Sequence, residues 1–508
     1  MESLTIEGYA SELSYVAGES VTLCCSTNAR QFSVEIARVG GTREIVWSDN
    51  AVEGVPHPTP ETASEIGCGW PASVELTVPD HWRSGYYEVV LRAVDEKTGR
   101  SEESLAFFVV RHSGSTHRKA PILLVLSTNT YNAYNDWGGP SLYTGAVRAS
   151  FQRPMAPGFL RKPEPYLRYP NLDDVYDPEH ERFRAWADLH GLARWSGSSG
   201  WYQWERLFMQ WAERAGYAID VAVNADLEQH PEVVDGYSML VSVGHDEYWS
   251  WGMRDTAEAF VERGGNIAFL SGNSVCWQVR FEDDGRTMVS YKGDPEADPL
   301  HGTDQQHLVS TLWCSQIVGR PENHLTGLSF SRGGYVRMGN AVPKASGGYT
   351  AWRPDHWVFS GTDVHYGDLF GTKDSIVVYE VDGCEFTHAE EDGLPVPTGH
   401  DGTPRDFTIL ATAPARLWAF DELPSRYRSS ESGDLEETAA AVFGEATPKN
   451  IARLAHNHAV MGLYTRGGTV FNSGTTDWAY GLAGHDPVIT QITRNLLDAL
   501  SRSEARNE

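Results

Sequence analysis

Ser238-Met239-Leu240-Val241-Ser242-Val243-Gly244-His245-Asp246-Glu247-Tyr248-Trp249-Ser250 is the stretch whose reading organises this 508-residue chain. Its first six residues form a short apolar, β-branched run, the mark of a buried strand. The run stops at Gly244 and at once presents an imidazole and two carboxylates. Titratable groups at the carboxyl end of a buried strand lie where α/β sheets place their ligands. If the chain stays extended for two more residues, His245 and Glu247 face one way, because side chains alternate with period two.

Working outward, strands alternate with helices. Residues 121–126 form an apolar strand. Trp204, Leu207, Phe208, Trp211, Ala212 and Ala215 share one face of a helix over 201–215, closed by Gly216. A strand at 218–224, a helix at 251–263 capped by Ser250, and a strand at 266–270 follow. This alternation predicts an α/β domain over 121–502 with a parallel, doubly wound sheet. The Gly-, Trp- and Tyr-rich sequence near 280–375 reads as an insertion of irregular and β structure. The sheet is expected to resume at 375–381 and 407–412, then in a hairpin around Gly467-Gly468. Asp486 and Pro487 open a final helix. Residues 1–112 alternate like strands without a helical period, which predicts an all-β immunoglobulin-like sandwich, with 113–120 as a polar linker.

Composition narrows the function. A formal net charge of -28 argues against nucleic acid or an anionic membrane as partner. Neither a signal peptide nor a membrane-length apolar run is visible, and the six cysteines form no CxxC pair. Reduced thiols in a cytoplasmic protein are expected. Cys276 reads as a packed small hydrophobe rather than a nucleophile. No HExxH, GxSxG, GxGxxG or phosphate-loop pattern occurs, and His456 and His458 lack a third ligand.

Three further segments bring chemistry. The loop expected at 127–139 carries phenols, amides and glycines beside the sheet crevice. Asn273, at the end of the strand expected next to that of His245, can converge on the same place. Glu380 is a carboxylate inside an apolar run, costly unless paired or functional, with Glu385 as a looser rival.

The segments 130–143, 244–250 and 264–273 resemble the catalytic domain of the large subunit of N,N-dimethylformamidase, and 471–478 is similar too. The resemblance covers roughly residues 118–500. It implies a glutamine-amidotransferase-like sheet domain holding one ferric ion (Fe3+) by two tyrosinates and a glutamate. Carried over, Glu247 is the carboxylate ligand and Tyr134 the first tyrosinate, with Tyr131 as rival. The second tyrosinate is assigned to Tyr176, from a stretch that also holds Tyr166 and Tyr169; Tyr143 is a further candidate. Hard anionic oxygens suit such an ion. His245 and Asn273 match residues behind the ligands. The implied reaction is hydrolysis of a small N-substituted amide, such as N,N-dimethylformamide to formate and dimethylamine, with iron as Lewis acid. His245 would orient the nucleophile or shuttle its proton, Asn273 would donate to the oxyanion, and Glu380 would assist amine departure. Trp137, Trp249 and Trp277 are expected as an aromatic wall. The chain is shorter than the family's large subunit and is expected to lack its lectin-like β domain; a homo-oligomer is expected, with a small subunit as an open addition. The alternatives are a hydrolase or lyase of the same fold with another substrate or metal, and a non-catalytic binding protein.

Overall fold

The computed structural model describes residues 3–95, 97–113, 117–169, 181–336, 345–419 and 433–502. The amino-terminal part is two sheets. One has three strands, ordered Ile6–Ala10, Ser20–Thr27, Ala72–Thr77; the other has five, ordered Ser14–Tyr15, Ser101–Val110, Gly85–Val94, Gln31–Val39, Arg43–Glu53. Val21, Leu23, Phe32, Val34, Val89 and Phe108 fill the space between them. Arg43–Glu53 escapes sequence patterning because it is an edge strand with nearly every side chain exposed, so no apolar face alternates along it.

The outer face of the five-stranded sheet is also buried. Tyr86 stacks on Trp201 with centroids 4.1 Å apart, and Phe107 lies 6.1 Å from Tyr131. Such pairs contribute about 0.5–1.5 kcal/mol each beyond the area they bury. Arg38 donates to Glu213 at 2.6 Å, and the Gly41 amide donates to the same carboxylate at 2.6 Å. The two parts therefore share one continuous core.

The central sheet has nine strands, ordered Ile219–Val223, Ile122–Leu126, Met239–His245, Asn266–Gly272, Gly468–Asn472, Asn457–Arg466, Thr408–Ala415, Tyr349–Ala351, Leu369–Phe370. The first five run parallel and the remainder antiparallel. The sheet is thus mixed, not wholly parallel: the late hairpin folds back and docks its second strand beside Asn266–Gly272. The expected strand at 375–381 does not join it. Ile376, Val377 and Val378 are buried outside any strand, and Glu380–Gly383 pairs with Ser329–Tyr335 in a separate two-stranded sheet. Apolarity there reported burial, not extension. The expected loop after the first parallel strand is instead the short buried helix Thr128–Tyr134. Ser250 caps helix Trp251–Glu262, accepting from the Met253 amide at 3.2 Å, and Asp486 caps Pro487–Leu500. All six cysteines are free thiols. No helix among the described residues is long and apolar enough to cross a membrane.

Helix Glu205–Arg214 opens on a carboxylate buried in this core. Glu205 accepts from the Tyr131 hydroxyl at 2.6 Å and from the Ser127 amide at 3.3 Å. Burial outweighs these bonds and pushes its carboxyl up from 4.5 to about 7. A folded pKa above the unfolded one means stabilisation present in full below about pH 4.5 and lost as pH rises through 7. The loss from this one group is about 3 kcal/mol by pH 8. Thermal melts of Glu205→Gln between pH 4.5 and 8 should therefore fall less steeply than wild type; an unchanged slope would show that Glu205 is not the source.

Candidate active site

Every residue of the strand Met239–His245 is buried, so its polar end is presented inside the protein. Gly244 adopts φ +83°, and a Cβ there would lie 2.5 Å from the Cβ of Trp204. Only glycine permits both the turn and the approach of that tryptophan. Beyond it the side chains alternate. Asp246 points back into the scaffold, accepting from Ser242 at 2.7 Å and Asn224 at 3.1 Å. His245 and Glu247 turn the other way, with His245 Nε2 3.3 Å from Glu247 Oε2. The Thr130 hydroxyl, accepting from the Glu247 amide at 3.0 Å, pins the backbone between them.

Neighbouring segments complete the cluster. Asn266–Gly272 lies parallel to the His245 strand and delivers Asn273, which holds φ +49°, a conformation non-glycine residues seldom adopt. Val275 follows at φ +57°, rarer still for a β-branched residue, as expected where a turn is shaped by function. Glu380 arrives from strand Glu380–Gly383, which pairs with Ser329–Tyr335. Its carbonyl would lie 2.5 Å from a Cβ on Gly272, so glycine is needed there for this segment to come close. Glu380 Oε2 sits 2.7 Å from His245 Nε2 and accepts from Asn273 Nδ2 at 3.2 Å. Asn273 Oδ1 is buried and has no partner.

His245 also donates from Nδ1 to the Ser198 carbonyl at 2.9 Å. Burial disfavours its charge, but the Glu380 and Glu247 carboxylates overcome that and push it up to about 9. Nε2 faces both carboxylates and also lies 3.3 Å from Asn273 Nδ2.

On the other side of Glu247, Tyr143 donates its hydroxyl to Oε1 and Oε2 at 2.8 and 2.9 Å, and Trp277 Nε1 donates to Oε1 at 2.8 Å. Tyr248 donates to Tyr143 at 2.8 Å, and Lys292 Nζ donates to Tyr248 at 2.9 Å. The Lys292 ammonium rests 3.4 Å from the Tyr143 ring centroid. Tyr134 stacks on Tyr143 at 4.0 Å between centroids. Burial and then the Glu247 charge hold the phenols of Tyr134, Tyr143 and Tyr248 well above the ordinary tyrosine range. Tyr134, Tyr143, Glu247, Asn273, Trp277, Lys292 and Glu380 line an open cavity of about 280 Å³, whose wall also includes Phe330, Tyr335, Asp434, Glu437 and Thr438.

Of the residues read from sequence, Tyr134, Glu247, His245, Asn273 and Glu380 meet here, joined by Tyr143. Tyr176 lies outside the described residues. Tyr131 donates to Glu205 rather than Glu247; Tyr166 packs on Tyr202, and Tyr169 on Tyr379. Glu385 is drawn to the surface by Arg332, Thr398 and His400. Among the three expected tryptophans, only Trp277 lines the cavity; Trp137 packs on Trp70, and Trp249 lies in the core behind the sheet. Cys276 is buried in the lining with its thiol pushed up by burial, unfit as a nucleophile. Lys292, Tyr248, Asp434 and Glu437 were missed. Tyr248 stood inside the opening motif, and Lys292 in a tyrosine-lysine-glycine turn, the one hint available for it.

A carboxylate among phenols is the donor set of a hard cation. Among the described residues no three His, Cys, Asp or Glu side chains form a metal cage, so a cation here would rely on phenol oxygen. The donors present fit that demand.

Residues 33–491 match a family model described as N,N-dimethylformamidase beta subunit-like, C-terminal. The chain belongs to that family. The N,N-dimethylformamidase beta subunit of Alcaligenes sp is 28% identical over 221 residues, 42% of this chain and 28% of that protein. The N,N-dimethylformamidase beta subunit of Paracoccus aminophilus is 23% identical over 461 residues, 86% of this chain and 55% of that protein. The chain thus spans about half the length of the dimethylformamidase relative it matches most extensively. Both relatives are named as subunits. Among solved structures, the sporulation control protein Spo0M of Bacillus subtilis matches 22% of this chain and 51% of that one, at 12% identity and a TM-score of 0.16.

Proposed function

We propose that this dimethylformamidase-family chain hydrolyses a small N-substituted amide such as N,N-dimethylformamide, with one ferric ion as cofactor. The reading is carried by a single observation: Glu247, with Tyr143 and Tyr134 beside it, opens onto a cavity next to the His245–Glu380 pair. Glu247, Tyr134 and a second tyrosine would hold the ion, which when bound supplies Lewis acidity toward the amide carbonyl. In this reading the parallel strands and their helices form the glutamine-amidotransferase-like core, with the amino-terminal sandwich as its immunoglobulin-like companion. Relatives named as subunits support assembly as an oligomer.

The chain's own residues divide the remaining work. His245, within 3.3 Å of Glu247 and 2.7 Å of Glu380, holds the two carboxylates in place. Glu380 lines the cavity with Oε2 anchored, and takes the proton of the attacking water before passing it to the leaving nitrogen. The Asn273 Nδ2 group donates to Glu380 and fixes the carboxylate on the cavity wall. Lys292 has three donors, of which one goes to Tyr248, and its charge faces the oxyanion that develops on the carbonyl. Trp277, Leu142 and Leu312 line the same cavity and exclude water from the reacting carbon.

Purified protein should contain iron, show a visible tyrosinate charge-transfer band, and release formate and dimethylamine from dimethylformamide. Full activity after complete iron removal would overturn the cofactor; cleavage of no formamide by iron-loaded protein would overturn the reaction.

A further inference from the structure

We infer that Asp477 is a positioning residue, whose two carboxylate oxygens fix His245 and Glu380 against each other from behind the cavity. This rests on the amide-hydrolysis reading above and names a residue that serves the same site. The segment 471–478, singled out by sequence, sends no side chain into the cavity lining, so its part in the site needs another explanation.

The ordinary reason for an aspartate at this point does not apply. Asp477 stands directly before helix Trp478–Ala483, where such a side chain usually accepts from the amides of the first turn. It makes no such bond. The carboxylate turns instead to two donors remote in sequence: Oδ1 accepts from Trp204 Nε1 at 3.0 Å, and Oδ2 from the Tyr379 amide at 3.1 Å. Asp477 is fully buried, and Arg168 Nη2, 3.3 Å from Oδ2, answers its charge. Burying a carboxylate is costly unless it is paired and hydrogen-bonded, and here it is both.

Each donor leads to the His245–Glu380 pair. Tyr379 immediately precedes Glu380 and lies outside any strand, so its amide is tied to this carboxylate rather than to a sheet. Trp204 packs on Gly244, the residue before His245. The rings of Trp204 and Tyr379 both meet the imidazole edge-on, with centroids 6.1 and 5.8 Å from it, and lie nearly parallel to each other. Neighbours of Asp477 grip the same strand: the Thr476 amide donates to the Glu380 carbonyl at 3.2 Å, and the Gly474 carbonyl accepts from the Asp382 amide at 3.1 Å. One carboxylate thus ties two walls of the imidazole, and the backbone entering Glu380, to a single element. The 2.7 Å between His245 Nε2 and Glu380 Oε2 is set from this side.

Asparagine is the discriminating substitution, because it keeps the shape but has one acceptor oxygen for two N–H groups and turns a donor toward the other. In iron-loaded Asp477→Asn, hydrogen exchange across residues 376–381 should quicken. Its kcat should fall about 10²-fold, the cost of misplacing a reacting group by about 1 Å. KM and the tyrosinate band should hold, since neither the cavity lining nor Glu247 is altered. A role confined to stability would instead lower the melting temperature and leave kcat per folded molecule unchanged. Trp204→Phe, which removes the Oδ1 bond and keeps a ring, should lower kcat less and quicken exchange across 242–248; it carries the test should Asp477→Asn not fold. Wild-type exchange in the folded variant overturns the inference, as does wild-type kcat where amides are cleaved. If the wild type cleaves no amide, quickened exchange keeps the positioning role and removes the hydrolytic reading.

Discussion

Glu247→Ala is expected to lower amide hydrolysis by about 10³-fold or more and to strip the protein of iron. The reason is geometric. This carboxylate takes hydrogen bonds from Tyr143 and Trp277 and lies 3.3 Å from the His245 ring, so two distant segments converge on it beside its own strand end. Truncation leaves a buried indole N–H and a phenol O–H without acceptors, which costs about 1–3 kcal/mol for each. It also leaves Glu380 as the one carboxylate against His245 among the described residues. Glu247→Gln separates the charge from the volume: it fills the space, keeps one acceptor, and should still lose iron and most turnover. Elemental analysis and formate release on the folded variants are the measurements. Iron retained with full activity in Glu247→Ala would sink the assignment of this residue.

Gly244→Ala is expected to damage both the fold and the site. A left-handed backbone costs an L-residue about 1–2 kcal/mol, and forcing a methyl into a packed core adds about 1–3 kcal/mol. Here both apply, since φ is +83° and the new Cβ would lie 2.5 and 2.8 Å from Cβ and Cγ of Trp204. Trp204 cannot simply yield, because its indole donates to the buried Asp477 at 3.0 Å. The strain falls next to His245, so specific activity per folded molecule should drop along with the melting temperature. A wild-type melt and wild-type activity would show that the strand end relaxes without cost.

The local features were legible because they are periodic or punctuated. Val241 and Val243 ahead of Gly244 announced a buried strand, and Ser250 announced the helix that follows. The alternation after Gly244 put His245 and Glu247 on one side, where their side chains lie 3.3 Å apart. Asn273 and Glu380 could be nominated because a polar group at a strand end, or within an apolar run, demands a reason. The run at 375–381 misled on sheet membership, since burial and extension leave the same apolar trace over seven residues. Of the antiparallel pairs in the sheet, the hairpin around Gly467-Gly468 was readable from its turn, whereas the strands that pair beyond it were not, as direction is a matter of which strands pair.

By itself, then, the order of residues determined where the buried strand ends and which imidazole and carboxylate it exposes, through side-chain alternation and the stop at Gly244. Only the folded chain decided what faces them. Lys292 beside Tyr248, Tyr143 on both oxygens of Glu247, and Asp434 and Glu437 across the cavity come from segments up to 190 residues away from Glu247 in sequence. No local pattern encodes such meetings: they are made when separate apolar faces bury against one core and carry their polar ends together.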